Sequence, residues 1–338
     1  MKKIILATLA IAALAACTKT EVVSVTESNA IAFDNAFVDN ATKSVNDPSF
    51  TNDNLFTDFA VYGFVEGAVL FNGIQVSKTI DNNDLSSVWK YEGTQYWIAG
   101  AKYNFAAVAP MENGNWEKKT ASKDGVSLSF TNNGSTDLLY AQTDEIEGKV
   151  SENSDVEFTF RHILSKVKFS FKNEYNATNA TIRVKNIKIT NPHKTATVVL
   201  TAATAWDGHA SAADFELSFG MATDDEDTAD KEKVEVAYAF GKTYESQNEL
   251  FLIPSASYPY KVTFDVELLV SGQLIDTYEH TVTATFAPVA GNSYDIKAVI
   301  NASNIDPNHA QEPIEFTVST LSGWTTAAGV DAQYPQNN

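Results

Sequence analysis

One cysteine, Cys17, occurs in 338 residues, so no intramolecular disulfide is available and packing alone must hold the fold. Arginine is almost as scarce. Arg161 and Arg183 are the only two, against 43 aspartates and glutamates and a formal charge of −19. So acidic a surface, with no offsetting basic patch, excludes nucleic acid as a partner and repels anionic lipid headgroups. The histidines His162, His193, His209, His280 and His309 are scattered, with no pair at i, i+2 or i, i+4 to seat zinc. His162, lying between strands, reads as a hydrogen-bonded structural residue. The acidic run Asp224 to Asp230 lacks the turn glycine and twelfth-position glutamate of a calcium loop and reads as a solvated loop. Neither a Gly-x-Ser-x-Gly elbow nor a glycine-rich phosphate loop occurs, so no enzyme signature and no cofactor are implied. Beyond the first 16 residues no apolar run is long enough to cross a bilayer.

What is present begins at the N-terminus. Lys2 and Lys3 precede an apolar stretch, Ile4 to Ala13, too short to span a membrane as a mature helix, and Leu14-Ala15-Ala16-Cys17 closes it. This resembles a bacterial lipoprotein signal. The resemblance implies removal of residues 1–16 by a cut between Ala16 and Cys17, a diacylglycerol on the Cys17 thiol, and a lipid anchor to the outer membrane at the cell surface. Each buried methylene contributes about 0.8 kcal/mol, so two or three acyl chains tether a domain firmly. Removal takes 338 residues to 322 and, with Lys2 and Lys3 gone, the charge from −19 to −21. A chain of that length is more than one core usually serves, and two domains are expected.

The dominant period is two. Val156-Glu157-Phe158-Thr159-Phe160, Val167-Lys168-Phe169-Ser170-Phe171 and Val262 to Leu268 all alternate apolar with polar, as half-buried antiparallel strands do. Asn72-Gly73, Asn132-Asn133-Gly134, Ser271-Gly272 and Gly291-Asn292 supply turns between them. No βαβ alternation appears, so a parallel sheet is not expected, and the class reads as all-β, with antiparallel β-sandwiches in tandem. The alanine-rich stretch Thr201 to Ala213 is expected to hold a short surface helix. A polar stretch, Ser151 to Asp155, is the expected joint, dividing an N-terminal sandwich over 44–155 from a C-terminal one over 156–338. Trp89, Tyr96, Trp97, Trp116, Trp206 and Trp324 suit sugar stacking, but mostly sit in strand-like context where core packing is the commoner role.

Asp58-Phe59-Ala60-Val61-Tyr62-Gly63, Tyr96-Trp97, Tyr103 to Pro110, Asp137 to Ala141, Phe158 to Val167, Gly291 to Tyr294 and Ile314 to Val318 with Trp324 follow one another in an order that resembles the fimbrillin family. Its members are lipoprotein-derived type V pilus subunits and fimbrillin-like surface proteins of Bacteroidales-type bacteria. The resemblance implies two tandem transthyretin-like Greek-key β-sandwiches, no cofactor, and partners that are copies of the chain or sibling subunits. It also implies a precursor whose segment 17–43 carries the first strand. A trypsin-like protease cuts between Lys43 and Ser44, where many relatives have arginine. The outgoing strand carries Ile31, Phe33 and Phe37, and a donor strand with Ile314, Phe316 and Val318 from a neighbour replaces it. Such a protein is a fimbrial subunit supporting adhesion or biofilm formation. A different class competes with it, a monomeric surface glycan-binding lipoprotein. A third and weaker reading is a secreted hydrolase on the same scaffold, resting on carboxylate pairs that only a fold brings together.

Overall fold

Among the described residues the alternating segments form strands, joined by turns and one short helix, Ala302–Ile305. The structure, a computed structural model, describes residues 29–38, 56–80, 87–149, 155–221, 236–305 and 314–321. Strand Asp58–Val65 is buried on both faces and shows how the first half is layered. It is a middle strand of an eight-stranded sheet ordered Phe33–Val38, Val156–His162, Leu139–Gln142, Lys102–Ala109, Asp58–Val65, Ala68–Ile80, Ser87–Tyr91, with Ile146–Glu147 beside Lys102–Ala109. Its even-numbered residues Ala60, Tyr62 and Phe64 pack, with Val108 and Tyr140, against a four-stranded sheet of Trp116–Ser122, Gly125–Thr131, His193–Leu200 and Thr204–Ser211. Its odd-numbered residues Phe59 and Val61 face an aromatic core enclosed by the same sheet curling on itself. Gly63 shares that face because nothing larger fits: a Cβ there would lie 2.6 Å from the Phe71 ring.

Two five-stranded sheets make the second half. One runs Thr243–Glu245, Ser165–Asn173, Ser293–Ile300, Phe316–Leu321, with Leu250–Leu252 also on Ser165–Asn173. The other runs Leu217–Phe219, Ala180–Ile189, Tyr258–Val270, Gln273–Phe286, with Tyr238–Ala239 also on Ala180–Ile189. Their inner faces bury Phe169, Phe171, Phe219, Phe264 and Ile296 in one core. The hairpin between Tyr258–Val270 and Gln273–Phe286 turns at Ser271 and Gly272, both in the left-handed region (φ 49° and 76°), the geometry of a two-residue primed turn.

Two expectations are revised. The strand Val156–His162, assigned by alternation to the second unit, hydrogen bonds inside the eight-stranded sheet, and His193–Leu200 and Thr204–Ser211 also belong to the first half. The chain thus crosses between the layers first at Ile163–Leu164, whose side chains are buried in the first half, and the 155/156 boundary does not separate the sheets. Thr201 to Ala213 holds no helix. Thr204–Ser211 is an edge strand zipped to His193–Leu200, with Trp206 packed on Phe130, so sheet register overrides alanine's helix propensity. Among the described residues no sheet is parallel throughout, though two strand pairs are, Phe33–Val38 with Val156–His162 and Ser165–Asn173 with Ser293–Ile300. In each pair the partners are so far apart in sequence that the connection passes through other sheets, and no crossover helix is required.

Candidate functional site

Residues 29–38 lie across the gap between the two ends of the curled sheet. On one side the Ile31 N–H donates to the Gln95 carbonyl (2.8 Å) and the Trp97 N–H to the Asn29 carbonyl (3.0 Å), an antiparallel bridge centred on Ala30 and Tyr96. On the other side the Val156 N–H donates to the Ala32 carbonyl (2.8 Å), and a parallel ladder matches Phe33 with Val156 and Asp34 with Glu157. A register shift follows, and Phe37 then pairs with Thr159. The Tyr91 hydroxyl donates to the Ile31 carbonyl at 2.7 Å and accepts the Gln95 N–H at 3.2 Å. Burial raises that hydroxyl's pKa above its ordinary value, so it acts as a neutral phenol.

The side chains close the core. Ile31 and Phe33 are buried, at 1% and 3% exposure. The Phe33 ring meets Phe71 at 5.7 Å, Tyr91 at 5.5 Å, Phe105 at 6.1 Å and Phe59 at 6.4 Å, and stacks on Phe158. Burial of two such side chains contributes about 3–6 kcal/mol by transfer alone. Withdrawal of the strand would open an aromatic slot edged by the Trp97 and Val156 N–H groups and the Gln95 carbonyl.

The C-terminal segment has a matching form in the other half. Ile314 is buried in the second core, and Phe316–Leu321 is an edge strand antiparallel to Ser293–Ile300, with Phe316 opposite Ala298 and Val318 opposite Ile296. The Phe316 ring lies 5.9 Å from those of Phe169 and Phe264. The structure therefore does not bring the two Ile-x-Phe segments together: each fills its own core. Ala16, Cys17, Lys43, Ser44, the run 224–230, His309 and Trp324 lie outside the described residues.

Several polar side chains outside the slot have structural roles. His162 Nδ1 sits 2.5 Å from Asp137 Oδ2, the hydrogen-bonded role expected of it. Arg161 donates to the Ala202 carbonyl (3.0 Å) and the Thr201 carbonyl and lies over the Tyr140 ring, pinning the turn of the four-stranded sheet. His193 packs between His209 and Tyr258 where the four-stranded sheet meets the second half. Burial pulls its pKa down, and the neighbouring His209 pulls it further. Among the described residues no group of three or more His, Cys, Asp or Glu is placed to hold a metal, and no helix is long and apolar enough to cross a membrane. Of the aromatics considered for stacking, Trp97 is buried, Trp89, Trp116 and Trp206 pack against the cores, and Tyr96 is exposed. The groups that sequence reasoning missed are Phe71, Tyr91 and Gln95. Only Tyr91 left a trace, in the alternation Trp89-Lys90-Tyr91 of strand Ser87–Tyr91.

A family profile described as fimbrillin-like matches residues 41–324. The crystal structure of a fimbrial protein from Bacteroides vulgatus superposes with a TM-score of 0.57 at 16% identity, covering 88% of this chain and 100% of that one. The fimbrial anchor protein Mfa2 from Porphyromonas gingivalis gives a TM-score of 0.38 at 13% identity, covering 87% and 97%. At these identities the first likeness speaks for the fold alone. No curated protein matches the chain.

Proposed function

Because the chain belongs to the fimbrillin-like family, we propose that it is a non-enzymatic structural subunit of a cell-surface fimbrium, supporting adhesion or biofilm formation and assembled by strand exchange. It is exported as a lipoprotein and anchored to the outer membrane through Cys17. A trypsin-like protease that accepts lysine cuts between Lys43 and Ser44, and the strand bearing Ile31, Phe33 and Phe37 departs. The segment 313–330 of a second copy or a sibling subunit, with Ile314, Phe316 and Val318, fills the slot. The observation that carries this reading is the place of Phe33: a residue ten positions before the cut is the centre of an aromatic core. A strand removable by one cut thus holds much of the first half's packing, and its loss exposes backbone donors and apolar surface that a neighbour's strand satisfies together.

Two variants test it. The Lys43→Ala chain should form no denaturant-resistant polymer ladder where the parent chain does, and the Cys17→Ser chain should leave the membrane fraction. Ladders that persist in Lys43→Ala rule out that cut as the trigger. Saturable polysaccharide binding by an uncut monomer that never polymerises would favour the anchored glycan-binding lipoprotein instead.

A further inference from the structure

The slot imposes more than hydrophobicity, because its hydrogen-bonding groups are fixed in place. Around Ile31 it offers the Trp97 and Val156 N–H groups and the Tyr91 hydroxyl as donors and the Gln95 carbonyl as an acceptor. The resident strand answers there with the carbonyls of Asn29, Ile31 and Ala32 and the N–H of Ile31, and continues as a parallel ladder from Phe33 onward. Ala30 lies at the centre of the bridge to Tyr96, where the ladder bonds fall on the flanking residues, so its own N–H takes no part in that ladder. The strand also has a fixed direction, antiparallel to residues 95–97 and parallel to Val156–His162.

We propose that this groove reads its occupant in register as Pro-Ile-x-Phe: Pro313, Ile314, Glu315 and Phe316 of a second copy take the places of Ala30, Ile31, Ala32 and Phe33. The proposal rests on the strand-exchange reading above and adds to it the alignment and the residues that enforce it. Proline has no N–H, so it fits opposite Tyr96 and nowhere one step later, where the Ile31 N–H is needed by Gln95. A slip of one residue therefore breaks a bond and turns the apolar face outward. A slip of two residues, with Phe316 in the Ile31 place, puts Val318 among five rings that a phenyl group fills in the resident structure. Only the alignment with Phe316 in the Phe33 place satisfies both the proline and the ring pocket.

Two further features suit the donor. The eight residues 306–313 between Ile305 and Ile314 reach roughly 26–29 Å when extended, so the strand can leave its sheet with the Ala302–Ile305 turn in place. In its own half, Phe316 already sits in a pocket of Phe169, Phe171 and Phe264 rings, so donation moves one aromatic anchor between two aromatic cores. The resident strand competes with it directly, which makes release of that strand the step that sets the direction.

The test uses the mature full-length chain with a sequence-specific protease site in place of residues 41–46. After cutting, labelled synthetic peptides are offered and retained label is measured. Peptide 311–321 should bind and be displaced by peptide 27–40. Its Phe316→Ala form should bind at least about 100-fold more weakly. The Pro313→Ala form should bind like the parent, and the Ile314→Pro form should not bind. Equal binding of the Phe316→Ala and parent peptides overturns the register. Retention of peptide 27–40 but not of 311–321 overturns the donor assignment while leaving strand exchange intact. Failure of both peptides to bind overturns the exchange reading along with the register.

Discussion

Phe33 stacks on Phe158, ring centroids 5.8 Å apart and planes 14° from parallel, across a parallel pair of strands. The parallel pair in an otherwise antiparallel sheet lies where the first strand spans the gap between Val156–His162 and the segment after Ser87–Tyr91. The Phe33 ring is consequently the point where the two ends of the curled sheet meet.

Phe33→Ala should lower stability by about 3–5 kcal/mol, the usual loss for a buried phenylalanine whose pocket cannot collapse, and Phe33→Leu by about 1–2 kcal/mol. Urea unfolding followed by tryptophan fluorescence measures both. A loss below about 1 kcal/mol for the alanine variant would show that the strand is an accessory and not part of the core.

Acid should act in two windows. Burial, with His209 adjacent, lowers the pKa of His193, and burial lowers that of His280 despite the opposing pull of Asp265. Each takes up a proton more readily unfolded than folded, so stability is flat above the unfolded value near 6.5 and falls as pH drops below it. Burial pushes Glu267 up, but its hydrogen bonds and charge pairing with Lys185 and Arg183 outweigh that and hold it below the ordinary carboxylate value. Its contribution is present above its unfolded pKa and is lost as pH falls through the lower folded one. Replacing His193 and His280 together with Gln should flatten the urea midpoint between pH 7 and 5 and leave the decline at lower pH. An unchanged upper window would place the acid sensitivity elsewhere.

The fold was legible where the period of two is clean. Val167 to Phe171 and Val262 to Leu268 are strands with the faces that alternation assigns. Ile31 and Phe33, which the family resemblance names, are buried in one core. What failed depended on partners distant in sequence. Nothing in Val156 to Phe160 says whether its neighbour is Leu139–Gln142 or a strand of the second half, and that choice moved the boundary. Thr204–Ser211 lacks an apolar stripe, so its identity as a strand comes from His193–Leu200 alongside it. Tyr91 matters to the slot through a hydroxyl that reaches a carbonyl sixty positions earlier, and no local pattern encodes that contact.

That hydroxyl supports the last expectation. Tyr91 holds the Ile31 carbonyl and the Gln95 N–H at once, so it fastens the first strand to the edge of the slot through a side chain that stays behind when the strand leaves. In the uncut chain, Tyr91→Phe keeps the ring against Phe33 and Phe71 and removes only the two bonds, a loss of about 1–2 kcal/mol. Once the strand is severed, the same loss falls on its retention, and release should quicken by about 5–30-fold, since 1.4 kcal/mol is a factor of ten. The rate is read from the cut chain by the departure of a labelled N-terminal segment under chase with unlabelled peptide. Tyr96→Phe is the control, because that side chain is exposed on the outer face of the same bridge, and its release rate should match the parent's. Equal rates for Tyr91→Phe and Tyr96→Phe would show that backbone pairing and Phe33 alone retain the strand.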